Sequence, residues 1–304
     1  MKKLPFILTI FALLPLAHCL HLTHAQKKPA APARAPEGAE EKRVYKTVNG
    51  TELPLYIYTP SSHSPDSKAP AIVFFFGGGW KSGSPSQFQE QCKYLADRGM
   101  VAVTAEYRVS SRHDVKVEDC IADAKSAMRW VRAHADELGI DPDRIAAGGG
   151  SAGGHLAAAT SVINKFDDDS DDTSVSAKPN LLVLFNPALA IASDERLSKE
   201  YNQRISERPN NRSHGPPKQV SPLTKAHKTQ PPCIMFFGTA DGLLHGAEIY
   251  RDTSLAAGND CTIITYPDQG HGFFNYGREN NHYFDLTMGE TDKFLTKHGY
   301  LPEN

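Results

Sequence analysis

The turn Gly149-Gly150-Ser151-Ala152-Gly153-Gly154 sets a serine between a short apolar run at 144–148 and a small-residue helical stretch at 152–162, with no loop to separate them. A strand that becomes a helix within so few residues needs a tight, strained turn. A side chain at either flanking glycine would strike the neighbouring strand or helix. Such a turn lifts the Ser151 Oγ into the open and sets the Ala152 N–H at a helix N-terminus, where developing negative charge is stabilised. The spacing fits G-x-S-x-G in the strand–turn–helix context this motif requires. A glycine-rich turn can also cradle a phosphate, but neither G-x-x-x-x-G-K-[ST] nor G-x-G-x-x-G with its acidic partner occurs here. Ser151 is the candidate nucleophile.

The segments around that turn alternate in type. Runs at 42–48 and 53–58 read as a strand pair, and 71–76 is wholly apolar, as expected of a strand buried on both faces. Further strands are expected at 101–107, 144–148, 181–186, 234–238 and 262–266. Helical patterns cover 85–98, 117–138, 152–162, 247–257 and 283–298. This alternation predicts an α/β fold: a mostly parallel central sheet of about eight strands with helices on both faces. In such sheets ligands sit outside the carboxyl ends of the strands. The stretch 188–230 breaks the pattern, being polar and rich in Pro and Asn, and reads as a rim or small lid insertion.

Each remaining motif falls at a strand end. Gly77-Gly78-Gly79-Trp80 follows the apolar run, and unobstructed N–H groups of Gly78 and Gly79, with that of Ala152, would form an oxyanion hole. Trp80 would either stack on a sugar or cap the core. His271, in a glycine-flanked loop after the last strand, is the candidate base. Asp241, in Gly238-Thr239-Ala240-Asp241-Gly242, is its orienting acid, and the chain order Ser, Asp, His is the one expected. Asp268 and His245 are the rival acid and base.

Together, G-G-G-W, G-G-S-A-G-G, G-T-A-D and G-H-G-F-F resemble the α/β-hydrolase superfamily over about residues 44–300. Within it the chain resembles esterases related to the hormone-sensitive-lipase group and to bacterial carbohydrate- or feruloyl-esterase-like enzymes. The resemblance implies an α/β-hydrolase fold, a Ser151–Asp241–His271 triad, oxyanion donors at Gly78, Gly79 and Ala152, and no metal or organic cofactor. The expected reaction is acyl transfer from a short or polar ester, of a small molecule or a polysaccharide, to water. An oligopeptidase-type serine peptidase and a non-catalytic member of the fold are the alternatives. Three features depart from the lipase-like pattern. Phe76 replaces the usual His, so the glycine loop needs other polar support. Gly150 replaces an Asp, and the long helical cap before the glycine loop is missing. Glu106-Tyr107-Arg108, by contrast, resembles that group's D-Y-R.

A net charge of −2 gives no basic face for nucleic acid. Lys2 and Lys3 followed by an apolar run at 4–16 read as a signal peptide over 1–25, implying export to the periplasm or beyond. Leu16-Ala17-His18-Cys19 resembles a lipobox with a bulky His18, so membrane attachment is expected only if Cys19 is lipidated. Residues 26–43, rich in Pro and Ala, read as a disordered leader, and 44–304 as the catalytic domain. Cys92, Cys120, Cys233 and Cys261 lack metal-ligand spacing and are either disulfides or buried thiols. The acidic run at 167–172 is either a calcium site or a solvated face, and Arg108 and Arg112 either receive an acidic substrate or form salt bridges.

Overall fold

The computed structural model describes residues 1, 33–207, 212–226 and 229–303. The signal segment and Cys19 lie outside the described residues. Eight strands form one sheet in the order β1-β2-β4-β3-β5-β6-β7-β8. They are β1 (Glu41–Val48), β2 (Thr51–Tyr58), β3 (Ala69–Phe75), β4 (Val101–Ala105), β5 (Ile140–Gly150), β6 (Leu181–Phe185), β7 (Cys233–Gly238) and β8 (Cys261–Tyr266). Only β2 runs against its neighbours; from β4 to β8 every pairing is parallel. The ordered chain reaches further back than the boundary at 43/44. β1 starts at Glu41, and the Tyr58 hydroxyl donates to the Glu37 carbonyl at 3.1 Å.

Side chains alternate across the sheet, as the period of two demands. Val73 and Phe75 of β3, with Leu182 and Leu184 of β6, face one core; Ile72 and Phe74, with Val183 and Phe185, face the other. Helices α3 (Val117–Ala133), α4 (Ala152–Val162) and α6 (Leu244–Ala256) cover the first face. The second is covered by α1 (Gln89–Asp97) and α7 (His282–Lys297). Two short helices, α2 (Ser110–His113) and α5 (Lys199–Ser206), lie in connections. The predicted helix over 117–138 stops at Ala133, and turns fill the interval to Gly139, whose φ of +61° suits no continuing helix. Cys92, Cys120, Cys233 and Cys261 are buried free thiols, so no disulfide joins the described residues.

Three aspartates of the acidic run are taken up by ion pairs with the framework, while Asp169 and Asp172 are exposed. Asp168 pairs with Lys46 at 2.6 Å, Asp167 with Lys125 at 2.7 Å, and Asp171 with Arg129 at 2.8 Å. Lys46 also reaches fully buried Asp123 at 2.9 Å, which holds Arg108 at 2.8 Å. A bulge between Val44 and Lys46 turns two successive residues, Tyr45 and Lys46, inward, which brings the lysine to Asp123. Arg112 pairs with Glu106 at 2.8 Å, so both arginines of the Glu106–Arg112 segment serve the framework rather than a ligand.

Asp123→Ala leaves Lys46 and Arg108 buried without their shared anion, which costs about 3–5 kcal/mol of stability by the usual effect of breaking a buried pair. Urea unfolding of the variant checks this; a loss below about 1 kcal/mol would mean that water or repacking replaces the carboxylate.

Candidate active site

Ser151 sits between the end of β5 and the start of α4, with φ +54° and ψ −114°. A non-glycine residue there is strained by about 1–3 kcal/mol, and the surroundings hold it in place. Its N–H donates to the Phe185 carbonyl at 2.9 Å, and its own carbonyl accepts from the His155 and Ala188 N–H groups at 3.0 and 3.1 Å. The turn closes only because Gly153 has no side chain: a Cβ there would lie 1.9 Å from the Phe75 carbonyl oxygen. Helix α4 therefore starts directly against the end of β3, where the glycine loop begins.

The structure brings the three sequence-predicted polar residues together. His271 Nε2 lies 2.9 Å from Ser151 Oγ, and its Nδ1 lies 2.8 Å from Asp241 Oδ2. The carboxylate accepts a hydrogen bond from Nδ1–H, which leaves Nε2 free to accept from the serine hydroxyl. Asp241 is 6% exposed, and its other oxygen accepts the Leu243 N–H at 2.9 Å, which fixes the carboxylate plane. The rivals stand apart. Asp268 is exposed, its N–H on Thr239 Oγ1, and the His245 ring accepts from the Ser198 N–H at 3.0 Å.

The glycine loop lies against the serine, with the Cβ position of Gly77 only 3.3 Å from Ser151 Cβ. The Gly77 N–H is engaged by Gln87 Oε1 at 2.6 Å. No acceptor among the described residues takes the N–H groups of Gly78, Gly79 or Ala152, and these three are the donors left to face a developing oxyanion. The polar support that Phe76 cannot give comes from its neighbours. Tyr107 stacks on the Phe76 ring with centroids 4.1 Å apart, and its hydroxyl donates to the Phe76 carbonyl at 2.7 Å. Arg112 donates to the Gly83 carbonyl at 2.9 Å, and the Ser110 N–H to the Trp80 carbonyl at 2.9 Å. The 107–112 segment thus braces the glycine loop, through Tyr107, Ser110 and Arg112.

Trp80 is buried, and its indole N–H donates to His155 Nδ1 at 3.2 Å, so it is anchored as a cap while lining the cleft. The His155 Nε2–H donates to the Val220 carbonyl at 2.6 Å. This histidine of α4 thereby ties the glycine loop to Val220 in the stretch 188–230.

A second bridge was not legible in sequence. Gln87 Nε2 donates to Asn275 Oδ1 at 2.9 Å, Asn275 Nδ2 to the Gly272 carbonyl at 2.8 Å, and the Gly272 N–H to Asn186 Oδ1 at 3.0 Å. It joins the oxyanion loop to the His271 loop. The contacts span 188 positions for Gln87 and Asn275, which no local pattern encodes. Space opens on both sides of Ser151. A lobe of about 410 Å³ is lined by Trp80, Leu243, Arg204 and Arg212, and one of about 340 Å³ by Gln87, Asn275, Phe274 and Arg278.

His155 is fully buried, and burial lowers its pKa from 6.5 to about 4, against the smaller opposing pull of the Val220 carbonyl. Between those values the unfolded chain binds more protons than the folded one. This contribution is complete above about pH 6.5 and lost as pH falls towards 4. The stability difference between wild type and His155→Gln should shrink by about 3 kcal/mol from pH 7 to pH 4, at 1.36 kcal/mol per pKa unit. Urea titrations across that range test it, and a pH-independent difference would refute a neutral buried imidazole.

With this geometry in hand, comparison with known proteins is informative. A family model described as BD-FAE matches residues 55–248. Esterase 2 of Thermogutta terrifontis with propionate bound is 46% identical, with a TM-score of 0.82 over 88% of this chain and 98% of that one. The same esterase phosphorylated by paraoxon gives 45% identity and a TM-score of 0.79, covering 87% of this chain and 96% of that one. Carboxylesterase NlhH of Mycobacterium tuberculosis is 32% identical over 119 residues, 39% of this chain and 36% of that protein. The match thus spans about a third of the length of such curated relatives.

Proposed function

Because this chain belongs to the BD-FAE family, we propose that it is an exported serine esterase that hydrolyses short-chain carboxylic esters through an acyl-enzyme, with acetyl or feruloyl groups of polysaccharides among its natural targets. Its fold is that of the α/β-hydrolases. The observation that carries the reading is the continuous relay from Asp241 through His271 to Ser151, with hydrogen bonds of 2.8 and 2.9 Å beside three unengaged backbone N–H groups.

The chemistry follows from who can hold the proton. His271 Nε2 accepts the Ser151 proton as Oγ attacks the ester carbonyl, and Asp241 stabilises the imidazolium without taking its proton. Negative charge grows on the carbonyl oxygen, towards the N–H groups of Gly78, Gly79 and Ala152. The imidazolium protonates the departing alcohol. Water, deprotonated by the same nitrogen, then releases the acid and restores the serine.

Short or polar esters are favoured by the lining of the cleft. Around Ser151 stand Gln87, Asn275 and three arginines, with Leu243, Ala188 and Phe274 as apolar contributors, and these residues make no apolar channel for a long acyl chain. The propionate held by the Thermogutta esterase supports the same preference. Export rests on the Lys2–Lys3 and 4–16 pattern.

Hydrolysis of 4-nitrophenyl acetate, butyrate and decanoate by wild type and Ser151→Ala is the test. Turnover should fall with chain length, and the variant should lose about 10⁴-fold or more in kcat. Equal turnover by the variant, or no turnover and no labelling of Ser151 by a fluorophosphonate in folded wild type, would overturn the catalytic assignment.

A further inference from the structure

The arginines of this protein divide sharply by what neutralises them. Among the described residues, Arg34, Arg43, Arg98, Arg108, Arg112, Arg129, Arg144, Arg196 and Arg251 each form an ion pair with a carboxylate. Arg132 is engaged by the carbonyls of Pro142 and Lys178 and by the side chain of Asn180. Like Arg132, Arg204, Arg212 and Arg278 have no carboxylate partner among the described residues, and these last three line the two lobes beside Ser151. Among the described residues, the sole carboxylate lining either lobe is Asp241, which His271 engages. In a chain of net charge −2, three of the four described arginines that have no carboxylate partner stand at this cleft.

Arg204 is also oriented. It stands in the last turn of α5, whose N-terminus is capped by Ser198 accepting the Tyr201 N–H at 3.1 Å. One Nη donates to the Gly242 carbonyl at 2.8 Å, next to Asp241, and the guanidinium lies 4.9 Å from the centroid of the buried Tyr201 ring. A backbone carbonyl and an aromatic face hold the fork in place without neutralising it. Its remaining N–H donors are available to a ligand, and a planar guanidinium matches a carboxylate with two parallel hydrogen bonds.

We propose that the larger lobe is an anion subsite in which Arg204 and Arg212 receive a carboxylate carried by the ester substrate, so that the preferred esters are acidic ones. The inference rests on the esterase reading and names the class within it. The carboxylate belongs either to the alcohol part, as in an acylated acidic sugar, or to the acid part, as in a monoester of a dicarboxylic acid.

Two matched pairs separate these sources in the full-length protein. One is 4-acetoxybenzoate against its methyl ester, charged on the alcohol part; the other is mono-4-nitrophenyl adipate against 4-nitrophenyl hexanoate, charged on the acid part. In at least one pair the ratio of kcat/KM, charged over neutral, should exceed one in wild type. It should fall about tenfold or more in Arg204→Gln/Arg212→Gln, as expected for losing charge-assisted hydrogen bonds, and fall with added salt. Gly242→Ala is an independent probe that keeps both charges. A Cβ there would lie 2.7 Å from Arg204 Nη1 and displace the guanidinium, lowering the same ratio severalfold. The pair that responds identifies the part of the ester that enters the lobe. If neutral esters are turned over while neither ratio changes by more than about twofold in the double variant, the anion subsite is wrong and the esterase reading stands. If no ester of the four is hydrolysed by folded wild type, both fall.

Discussion

The approach of helix α4 to the end of strand β3 governs the rest of the site. At Gly153 the chain passes so near the Phe75 carbonyl that a methyl group would overlap it at 1.9 Å. That contact sets three things at once. It forces Ser151 into its strained φ of +54°, it aims the first N–H of α4 at the space above the serine, and it brings the glycine loop that leaves β3 alongside. Ser151 and the backbone N–H groups of the glycine loop share a position because two backbones touch, and the strain at Ser151 is carried by the sheet, through the Ser151 N–H to Phe185.

Backbone donors serve an oxyanion only if they do not have to reorganise as charge develops. A loop of three glycines is intrinsically soft, and here its rigidity is supplied from outside. Tyr107 and Arg112 hold its two ends, Gln87 engages the N–H of Gly77, and Asn275 carries the same bridge to the His271 loop. The Phe76–Tyr107 stack adds about 0.5–1.5 kcal/mol beyond the area it buries. A histidine at position 76 is not required because its polar function is distributed over residues that arrive from β4, α2 and the segment before α1.

What was legible in the sequence is what local chemistry encodes. Apolar runs of five to seven residues marked the buried strands, and the strand-to-helix glycines marked the elbow. Asp241 and His271 stood out because each follows a strand within a few residues. The helix over 117–133 was drawn too long because its last turns carry helix-compatible residues, and the stop comes from packing and from Gly139. The acidic run 167–172 was open between two readings, since only the fold brings Lys46, Lys125 and Arg129 to it. Gln87, Asn275 and His155 were not found at all. Their partners are distant in sequence, and an isolated polar residue in a helical pattern carries no sign of which face it meets.

The stretch 188–230 gains its meaning from how it is fastened. Val220 accepts from the buried His155, Leu223 donates to the Leu189 carbonyl at 2.9 Å, and the Ile191 N–H donates to Ser221 Oγ at 3.2 Å. Each fastening ties this stretch to itself or to α4, whose first turn follows Ser151. Freeing Val220 from His155 would break a buried hydrogen bond and leave an unpaired polar group, at a cost of about 1–3 kcal/mol. The stretch borders the cleft. It presents Arg204, braced on Gly242 next to the acid of the relay, and Arg212 nearby. This polar wall is fastened, through Val220 and His155, to the same helix whose first turn follows Ser151.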